Sequence, residues 1–293
     1  MKDRIYIQIP AYRDNQLQST LYDLITKAAC KEKLRIGVAW QHAGHEKLDW
    51  EFLERHRVEL IDIPAHKSKG CNWARALLQE RWMGEKYTLF LDSHHRFVPG
   101  WDQQLMDMYE GLRSGGVSKP LVTAYLPVYD PQYDPAGRRQ NPLAIRFFKR
   151  ERGLLFRLNS HELPLWRSMS APVPAHFVSL HFLFAEGTFN EEVEFDPAIY
   201  FFADEVAISL RAYTLGYDLY HPHKVLGWHL YDRTATRVPH WNDHPEWQQQ
   251  QERSYSLLTE LFRGQLSGRY GIGGQRTVSG YEKFIGMKLI DGT

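Results

Sequence analysis

Short apolar segments alternate with amphipathic segments through the first hundred residues of the chain. Four strand candidates of this kind cover residues 5–9, 34–40, 58–63 and 87–91. Between them, apolar side chains recur at helical spacing over residues 15–30 and 70–82. Strands that alternate with helices build a largely parallel sheet with helices on its faces. The pattern therefore predicts an α/β fold with a Rossmann-like sheet that is mixed but mainly parallel.

The second half of the chain is less regular but contains the same two kinds of element. Proline and glycine crowd residues 120–142, within which residues 129–137 have the composition of a surface loop. Strands are predicted over residues 121–126, 144–148, 176–184 and 225–229, and helices over residues 204–216 and 246–262. We expect a single domain over residues 1–293: a nucleotide-binding half (1–118), an acceptor and catalytic half (119–235), and a C-terminal helix with a glycine-rich tail (236–293).

Charge and cysteine content bear on the partners and the compartment. The 36 basic residues balance 35 acidic ones, so the chain lacks the basic excess that nucleic-acid binding requires. Cys30 and Cys71 are too few for a disulfide framework, and neither stands in a zinc-binding spacing. No apolar run is long enough for a signal peptide or a membrane span. We expect a cytoplasmic protein with no nucleic-acid partner and no membrane span, and the oligomeric state stays open.

Ligands of open α/β sheets bind beyond the carboxyl ends of the strands, so the residues after each strand are candidates for a site. The first strand candidate is followed by residues 10–14, which include Tyr12 and Arg13. An aromatic ring can stack on a base, and a guanidinium can pair with a phosphate. The alternative is a plain turn with an exposed arginine.

The buried strand over residues 87–91 is followed by Asp92, Ser93 and His94. Side chains two residues apart in extended backbone project the same way, and a carboxylate and an imidazole both bind divalent cations. A sugar-nucleotide transferase needs such a pair, because a metal neutralises the charge that develops on the departing diphosphate. The alternative is that Asp92 caps the next turn and His94 is exposed.

Two later segments carry further candidates. Asp204 and Glu205 open a predicted helix, where they either cap it and favour its dipole or face a sugar or an acceptor hydroxyl. His229 ends a predicted strand, so it can complete a three-ligand set with Asp92 and His94. A single histidine in such a place is alternatively a packed or surface residue.

The order of these segments resembles the metal-dependent GT-A glycosyltransferases. More closely, it resembles the UDP-GlcNAc:polypeptide N-acetylglucosaminyltransferase family that includes the Skp1 hydroxyproline GlcNAc-transferase. The matching segments are Ile9-Pro-Ala-Tyr-Arg-Asp14, Ile36-Gly-Val-Ala-Trp-Gln41, Ala74-Arg75, Gly84-Glu-Lys-Tyr87, Asp92-Ser-His94 with Arg96-Phe97 and Trp101-Asp102, Gly216-Tyr-Asp218, His229-Leu-Tyr-Asp-Arg233, and Gly271, Gly273, Gly274, Arg276 and Tyr281 of the tail. The resemblance covers nearly the whole chain.

The resemblance implies a GT-A fold and an enzyme that moves a sugar, most of all GlcNAc, from a UDP-sugar to a hydroxyl of a protein or glycan. It implies transfer with retention. It also implies a Mn²⁺ ion, or Mg²⁺, held by Asp92, His94 and His229, and the ion would hold the UDP diphosphate and act as a Lewis acid on the leaving group.

The resemblance further assigns residues to the two substrates. The implied donor-binding residues are Pro10, Ala11, Tyr12, Arg13, Arg75, Asp92, Ser93 and Arg276. Among them, Tyr12 and Arg13 would face the uridine or ribose, and Arg276 would close over the diphosphate. Asp204 and Glu205 are the implied catalytic residues. Trp228 and Tyr231 would stack on the sugar or the acceptor, unless they belong to the core.

The chain departs from the family pattern at the late helix, where Gly-Glu-Glu is expected and Ala203, Asp204 and Glu205 stand instead. The shorter side chain of Asp204 leaves room for an acceptor other than hydroxyproline. Two other functions stay open. One is a nucleotidyltransferase or sugar-nucleotide pyrophosphorylase, although residues 10–14 lack the glycines of a phosphate loop. The other is a non-catalytic nucleotide-sugar-binding protein.

Overall fold

The computed structural model describes residues 3–232 and 237–292 and centres on an eight-stranded sheet. The strands are β1 (Ile5–Tyr12), β2 (Leu34–His42), β3 (Glu59–Pro64), β4 (Tyr87–Leu91), β5 (His95–Phe97), β6 (Pro120–Thr123), β7 (Leu143–Glu151), β8 (Leu154–Glu162), β9 (Val173–Pro174), β10 (Phe182–Glu186), β11 (Asp218–His221) and β12 (Gly227–His229). The helices are α1 (Leu17–Lys27), α2 (Trp50–Arg55), α3 (Cys71–Gln79), α4 (Trp101–Ser114), α5 (Phe189–Glu192), α6 (Asp204–Thr214), α7 (His240–Asp243), α8 (Trp247–Phe262) and α9 (Val278–Ile285). None of the described helices has the length and hydropathy needed to cross a membrane.

The large sheet has the strand order β3-β2-β1-β4-β10-β6-β11-β9. The first four strands in that order are parallel, β10 is antiparallel to both its neighbours, β11 is parallel to β6, and β9 is antiparallel to β11. The predicted mixed, mainly parallel sheet is thereby confirmed. Because β6 and β11 run in the same direction as β1 and β4, the carboxyl ends of all these strands lie at one edge of the sheet.

The hydrophobic core explains why the N-terminal elements form where the sequence predicts them. Ile5, Ile7 and Ile9 of β1 pack against the leucine stripe of α1, and these side chains are fully buried. Burial of one such side chain stabilises the fold by about 1.5–3 kcal/mol. Strand β4 is buried along its whole length, which fits its central place in the sheet.

Two smaller antiparallel ribbons complete the fold. Strand β12 pairs with β5 so that His229 lies opposite His95, which brings the late histidine beside the end of β4. Strands β7 and β8 form a hairpin anchored on the C-terminal segment, where the Leu155 N–H donates to the Leu289 carbonyl at 2.8 Å. The subdivision of the chain near residues 118 and 235 stays a prediction.

The structure corrects several predicted bounds and adds elements. Strand β1 continues through Pro10 to Tyr12, because its pairing with β4 ends at Gln8 and a proline is tolerated where only one neighbour remains. The helix predicted over residues 15–30 is shorter, and residues 176–181 contain no strand. Strand β8 and helices α4 and α9 were not predicted, because their apolar positions are interrupted by glycine and by charged residues.

Candidate active site

A cavity of about 840 Å³ opens at the carboxyl edge of the large sheet. It lies between the ends of β1, β2 and β4, the first turns of α3 and α6, the end of β12, and the β7–β8 hairpin. A volume of this size is typical of small-molecule and cofactor sites. Its position agrees with the rule that ligands of α/β sheets bind beyond the strand ends.

Asp92, His94 and His229 bring one ligand atom each to a common point in this cavity. The Nε2 atoms of the two histidines lie 3.0 Å apart, and Asp92 Oδ2 lies 3.4 Å from each of them. Asp92 and His94 follow β4 directly, and the pairing of β12 with β5 delivers His229. The structure therefore brings together the three residues that the sequence analysis assigned to a metal.

Neighbouring side chains fix the proton of His94 and the ring orientation of His229. His94 Nδ1 lies 2.7 Å from Asp14 Oδ2, and that carboxylate also accepts a hydrogen bond from the Ser93 hydroxyl at 2.8 Å. A proton on Nδ1 directed at a carboxylate puts the lone pair of the ring on Nε2, which is the usual arrangement of a metal-bound histidine. The ring of His229 is stacked on His181 at 4.1 Å and meets the edge of Tyr231 at 4.4 Å.

The protonation states fit a cation. Burial by itself raises the pKa of Asp92, but the neighbouring imidazoles of His229 and His94 hold that pKa well below its usual value. Burial and the neighbouring His181 push the pKa of His229 well below its usual value, so its imidazole is neutral. An ionised carboxylate and neutral imidazoles are the forms that bind metals, and a mixed oxygen and nitrogen set suits a divalent first-row ion.

Arg75 connects the metal-binding cluster to the start of α6. Its guanidinium is buried and donates to Asp204 Oδ2 at 2.9 Å, while another of its nitrogens lies 3.8 Å from Asp92 Oδ1. The Asn72 amide donates to the same Asp204 oxygen at 3.3 Å. Burial raises the pKa of Asp204, although Arg75 opposes that shift. Asp204 is thus occupied by an internal ion pair.

Glu205 has different surroundings from its neighbour Asp204. One of its carboxylate oxygens accepts from the Tyr125 hydroxyl, and the other accepts from the Leu180 N–H at 3.0 Å. Burial and the adjacent Asp204 raise the pKa of Glu205 to about 7. A carboxyl group with such a pKa holds or releases a proton near neutral pH.

Aromatic and imidazole rings line the part of the cavity next to β1. The ring of Tyr12 lies 4.8 Å from that of His240, and the Tyr200 hydroxyl is 2.6 Å from His240 Nδ1. Arg13 does not line the cavity, because both oxygens of Asp243 bind its guanidinium at 2.8 and 2.9 Å. The segment around α7 therefore folds back over the end of β1 and engages the predicted loop.

Most of the predicted site residues meet at this cavity. Those that line it are Pro10, Tyr12, Arg75, Asp92, Ser93, His94, Asp204, Glu205, His229 and Tyr231. Ala11 points to the opposite face of β1 and is buried, as the two-residue period of a strand requires. Arg233, the last residue of the His229 motif, lies outside the described residues.

Besides Ala11 and Arg13, two more of the predicted residues are not part of the cavity lining. Trp228 is buried, and its Nε1–H donates to the Arg139 carbonyl at 2.7 Å, so it belongs to the core. Arg276 binds Asp218 Oδ1 at 2.8 Å and the Tyr217 carbonyl at 3.0 Å. Because Asp218 begins β11, Arg276 lies at the amino edge of the sheet, opposite the cavity. We therefore remove Trp228 and Arg276 from the candidate site.

Several lining residues were missed by the sequence analysis. They are Asp14, Tyr125, His181, Tyr200, His240 and residues of the β7–β8 hairpin. Asp14 lies two residues after the end of β1, so the rule that ligands bind beyond strand ends could have identified it. Tyr125 lies two residues after the end of β6, but the sequence analysis placed it inside a strand. The others follow none of the strand ends that the sequence analysis inspected and reach the cavity through tertiary packing.

Solved structures share the fold of this chain at low sequence identity. GalNAc-T7, solved with UDP, GalNAc and Mn²⁺, matches with a TM-score of 0.61 and 13% identity over 98% of this chain and 55% of its own. TarS from S. aureus matches with a TM-score of 0.52 and 10% identity over 90% of this chain and 40% of its own. A shorter form of TarS in complex with UDP-GlcNAc gives a TM-score of 0.51 and 15% identity over 90% of this chain and 68% of its own. These are GT-A glycosyltransferases, so the chain has the GT-A fold, and it spans about half the length of the GalNAc-T7 chain.

Sequence comparison identifies the family. No curated protein sequence matches the chain. A family model described as glycosyltransferase (GlcNAc) matches residues 4–50 and 44–291, which together include almost every residue. The matched range contains the three convergent ligands, the buried arginine and the acid pair of α6. The chain therefore belongs to the glycosyltransferase (GlcNAc) family.

Proposed function

We propose that this protein is a metal-dependent transferase that moves GlcNAc from UDP-GlcNAc to a hydroxyl group of an acceptor, with retention at the anomeric carbon. The convergence of Asp92, His94 and His229 in the cavity carries the proposal. The donor follows from the family description and from the TarS complex with UDP-GlcNAc. Retention is what the resemblance to the UDP-GlcNAc:polypeptide N-acetylglucosaminyltransferase family implies.

Mn²⁺, or Mg²⁺, is the proposed cofactor, held by the Asp92 carboxylate and the Nε2 atoms of His94 and His229. When bound, such an ion neutralises the negative charge of a diphosphate leaving group. Asp14 keeps the proton of His94 on Nδ1, and His181 and Tyr231 hold the ring of His229 in its orientation. The chain thus supplies a preorganised site whose ligands need little movement.

The donor nucleotide is proposed to occupy the part of the cavity lined by Tyr12, Tyr200 and His240. Their rings offer flat apolar surfaces on which a uracil base can stack. The buried guanidinium of Arg75 adds a fixed positive charge between this part and the acids of α6. A fixed charge in a water-excluded cavity stabilises a diphosphate without reorganising during the reaction.

Glu205 is proposed to position the acceptor, and Asp204 to position Arg75. Asp204 is already bound by Arg75 and Asn72, whereas Glu205 lies with Tyr125 at the cavity wall. In its ionised form Glu205 can accept a hydrogen bond from the reacting hydroxyl and stabilise positive charge at the anomeric carbon. In its protonated form it loses that capacity, so transfer is expected to rise as the pH passes about 7.

Binding of uridine nucleotides tests this proposal without knowledge of the acceptor. The protein is titrated with UDP, UDP-GlcNAc, UDP-GalNAc and UDP-glucose in a calorimeter, with Mn²⁺ and again with EDTA. We expect metal-dependent binding of UDP and a preference for UDP-GlcNAc. Absence of binding with Mn²⁺ present contradicts the proposal. Binding that leads to neither hydrolysis nor transfer of the sugar indicates a nucleotide-sugar-binding protein instead.

A further inference from the structure

Positive charge is concentrated in the segment that forms the β7–β8 hairpin. Residues 138–167 contain eight arginine or lysine residues and two glutamates, whereas the whole chain has a formal net charge of only +1. The rest of the protein is therefore net acidic. Several residues of the hairpin line the cavity.

Half of the cations of this segment have acidic partners among the described residues. Arg150 pairs with Asp291 at 2.9 Å, Arg152 pairs with Glu252, and Arg138 pairs with Asp134. These contacts fasten the hairpin to the C-terminal segment and to the preceding loop. The charges of these three arginines are therefore neutralised by carboxylates of the protein itself.

Arg139 and Arg157 differ from these cations. Both line the cavity, and among the described residues neither forms an ion pair with a carboxylate. Backbone hydrogen bonds hold Arg139 at the rim, since its N–H donates to the Val128 carbonyl at 3.1 Å and its carbonyl accepts from Trp228. The guanidinium of Arg157 lies 5.0 Å from the centre of the Phe202 ring, three residues before Glu205. Two positioned guanidinium groups without acidic partners thus stand at the mouth of the cavity.

The acidic groups inside the cavity indicate what the positive charges of Arg139 and Arg157 can compensate. Asp204 is paired with Arg75, but among the described residues Glu205 forms no ion pair. When Glu205 is ionised it would repel an anionic group held beside the reacting hydroxyl unless other cations compensate. A neutral sugar or peptide hydroxyl needs no such compensation. Guanidinium groups bind phosphate and carboxylate through two parallel hydrogen bonds, which also fix the orientation of the bound group.

We propose that the acceptor carries a phosphate or a carboxylate group beside the reacting hydroxyl, and that Arg139 and Arg157 bind this anion. The inference rests on the proposed function, because it names the class of acceptor for the same site. Asn141 and Asn159, each two residues after one of these arginines, also line the cavity and offer amide groups to the remaining oxygens. Glu162 also lines the cavity, but among the described residues it pairs with neither arginine.

The test is calorimetric titration of the protein loaded with UDP and Mn²⁺, which fills the donor part of the cavity. The probes are a synthetic glycerol phosphate hexamer, a galacturonic acid hexamer and neutral maltohexaose. Arg139→Gln/Arg157→Gln is the test variant, and Arg146→Gln is its matched control, because Arg146 is an exposed arginine of the same hairpin that does not line the cavity.

At least one anionic hexamer is expected to bind tenfold or more tightly than maltohexaose, and the two anionic probes distinguish phosphate from carboxylate. The double variant should lose about tenfold of that affinity, while Arg146→Gln should lose less than twofold. Unchanged UDP binding by the double variant shows that it is folded.

Equal binding of charged and neutral hexamers, or an equal loss in Arg146→Gln, overturns the inference. If UDP itself does not bind, the proposed function fails. The anion preference is then measured with the same hexamers on the unloaded protein, so the two failures are distinguishable.

Discussion

The metal-binding cluster and the start of α6 both place carboxylates on the same cavity, yet their surroundings shift the pKa values in opposite directions. At the cluster, the neighbouring imidazoles of His229 and His94 overcome the effect of burial and hold the pKa of Asp92 well below its usual value. At α6, burial and the neighbouring Asp204 raise the pKa of Glu205 to about 7. Burial raises the pKa of both carboxylates, so the difference between them comes from their neighbours: two imidazoles oppose the effect of burial at Asp92, whereas Asp204 adds to it at Glu205.

Substitution of Asp92 is the strongest way to test this contrast. Asp92→Asn removes the only carboxylate of the convergent three-ligand set, so metal-dependent sugar transfer should fall by about a thousandfold. Stabilisation of the fold by Mn²⁺ should disappear in a thermal-shift measurement. Asp107→Asn, an exposed acid on α4, is the control and should behave like the unaltered protein. Full activity of Asp92→Asn would remove Asp92 from the metal site.

The pH dependence of stability tests the other side of the contrast. The folded-state pKa of Glu205 lies above the ordinary value of 4.5, so between pH 4.5 and about 7 the folded protein holds a proton that the unfolded chain has lost. This group therefore makes the free energy of unfolding fall as the pH rises through that window, by about 3 kcal/mol, and has no further effect above it. Glu205→Gln should remove this part of the slope.

Urea unfolding of the metal-free protein at pH 5 and pH 7.5 measures the effect. Other titrating groups cancel when the slope of Glu205→Gln is subtracted from that of the unaltered protein. Glu162→Gln, an exposed glutamate of the hairpin, is the matched control. Identical slopes in all three proteins would show that Glu205 is ionised throughout and that its neighbours do not raise its pKa.

Asp14 tests whether the cluster depends on partners beyond the ligands themselves. Asp14→Asn keeps the size of the side chain but removes the charge that holds the proton on His94 Nδ1. The dissociation constant for Mn²⁺ should rise between about tenfold and a hundredfold. The Ser93 hydroxyl also contacts Asp14, so Ser93→Ala is the comparison and should have a smaller effect. Unchanged metal affinity in Asp14→Asn would mean that His94 is oriented by packing alone.

The smallest expected effect concerns Ala203, which precedes the acid pair and has a backbone φ of +65°. L-residues with a side chain are strained in this left-handed region by about 1–2 kcal/mol, and glycine is not. Ala203→Gly relieves that strain but loses a buried methyl group, so the free energy of unfolding should change by less than about 1 kcal/mol. Ala203→Val should destabilise clearly more in the same urea experiment. Equal tolerance of glycine and valine would contradict the strained conformation.

The backbone conformation of Ala203 explains why the family pattern has glycine at this position. The resemblance predicted glycine there, and the left-handed φ is the backbone conformation for which glycine is suited. The neighbouring change to Asp204 has a partner in Arg75, which reaches it at 2.9 Å. The residues at the start of α6 thus differ from the family pattern, but the left-handed turn at Ala203 is present and Asp204 is held by an ion pair with Arg75.

Local patterns predicted much of the fold and of the site. Alternating apolar runs predicted β1 to β4 and α1, because each of these elements buries one face of a regular period. The strand-end rule selected Asp92 and His94, because residues after β4 necessarily lie at the carboxyl edge of the sheet. The same rule applies to Asp14, which follows the end of β1 but was not chosen as a site residue from the sequence.

Contacts between distant segments were outside the reach of these patterns. Trp228 and Tyr231 are close in sequence and both aromatic, yet one packs in the core and the other lines the cavity. Arg276 resembled a phosphate ligand but lies at the opposite edge of the sheet, because Asp218 at the start of β11 binds it. The spacing of residues along the sequence predicts neither the burial of Trp228 nor the position of Arg276.

The sequence by itself determined which chemical groups the chain offers at its strand ends and the order of the elements that present them. Only the tertiary structure decided which groups meet, which are ionised and which are already occupied. Asp204 and Glu205 are adjacent acids, but Arg75 from α3 binds the first and Tyr125 from the segment after β6 binds the second. The physical reason is that electrostatic interactions in a buried cavity depend on distances between atoms, and those distances are set by packing across the fold.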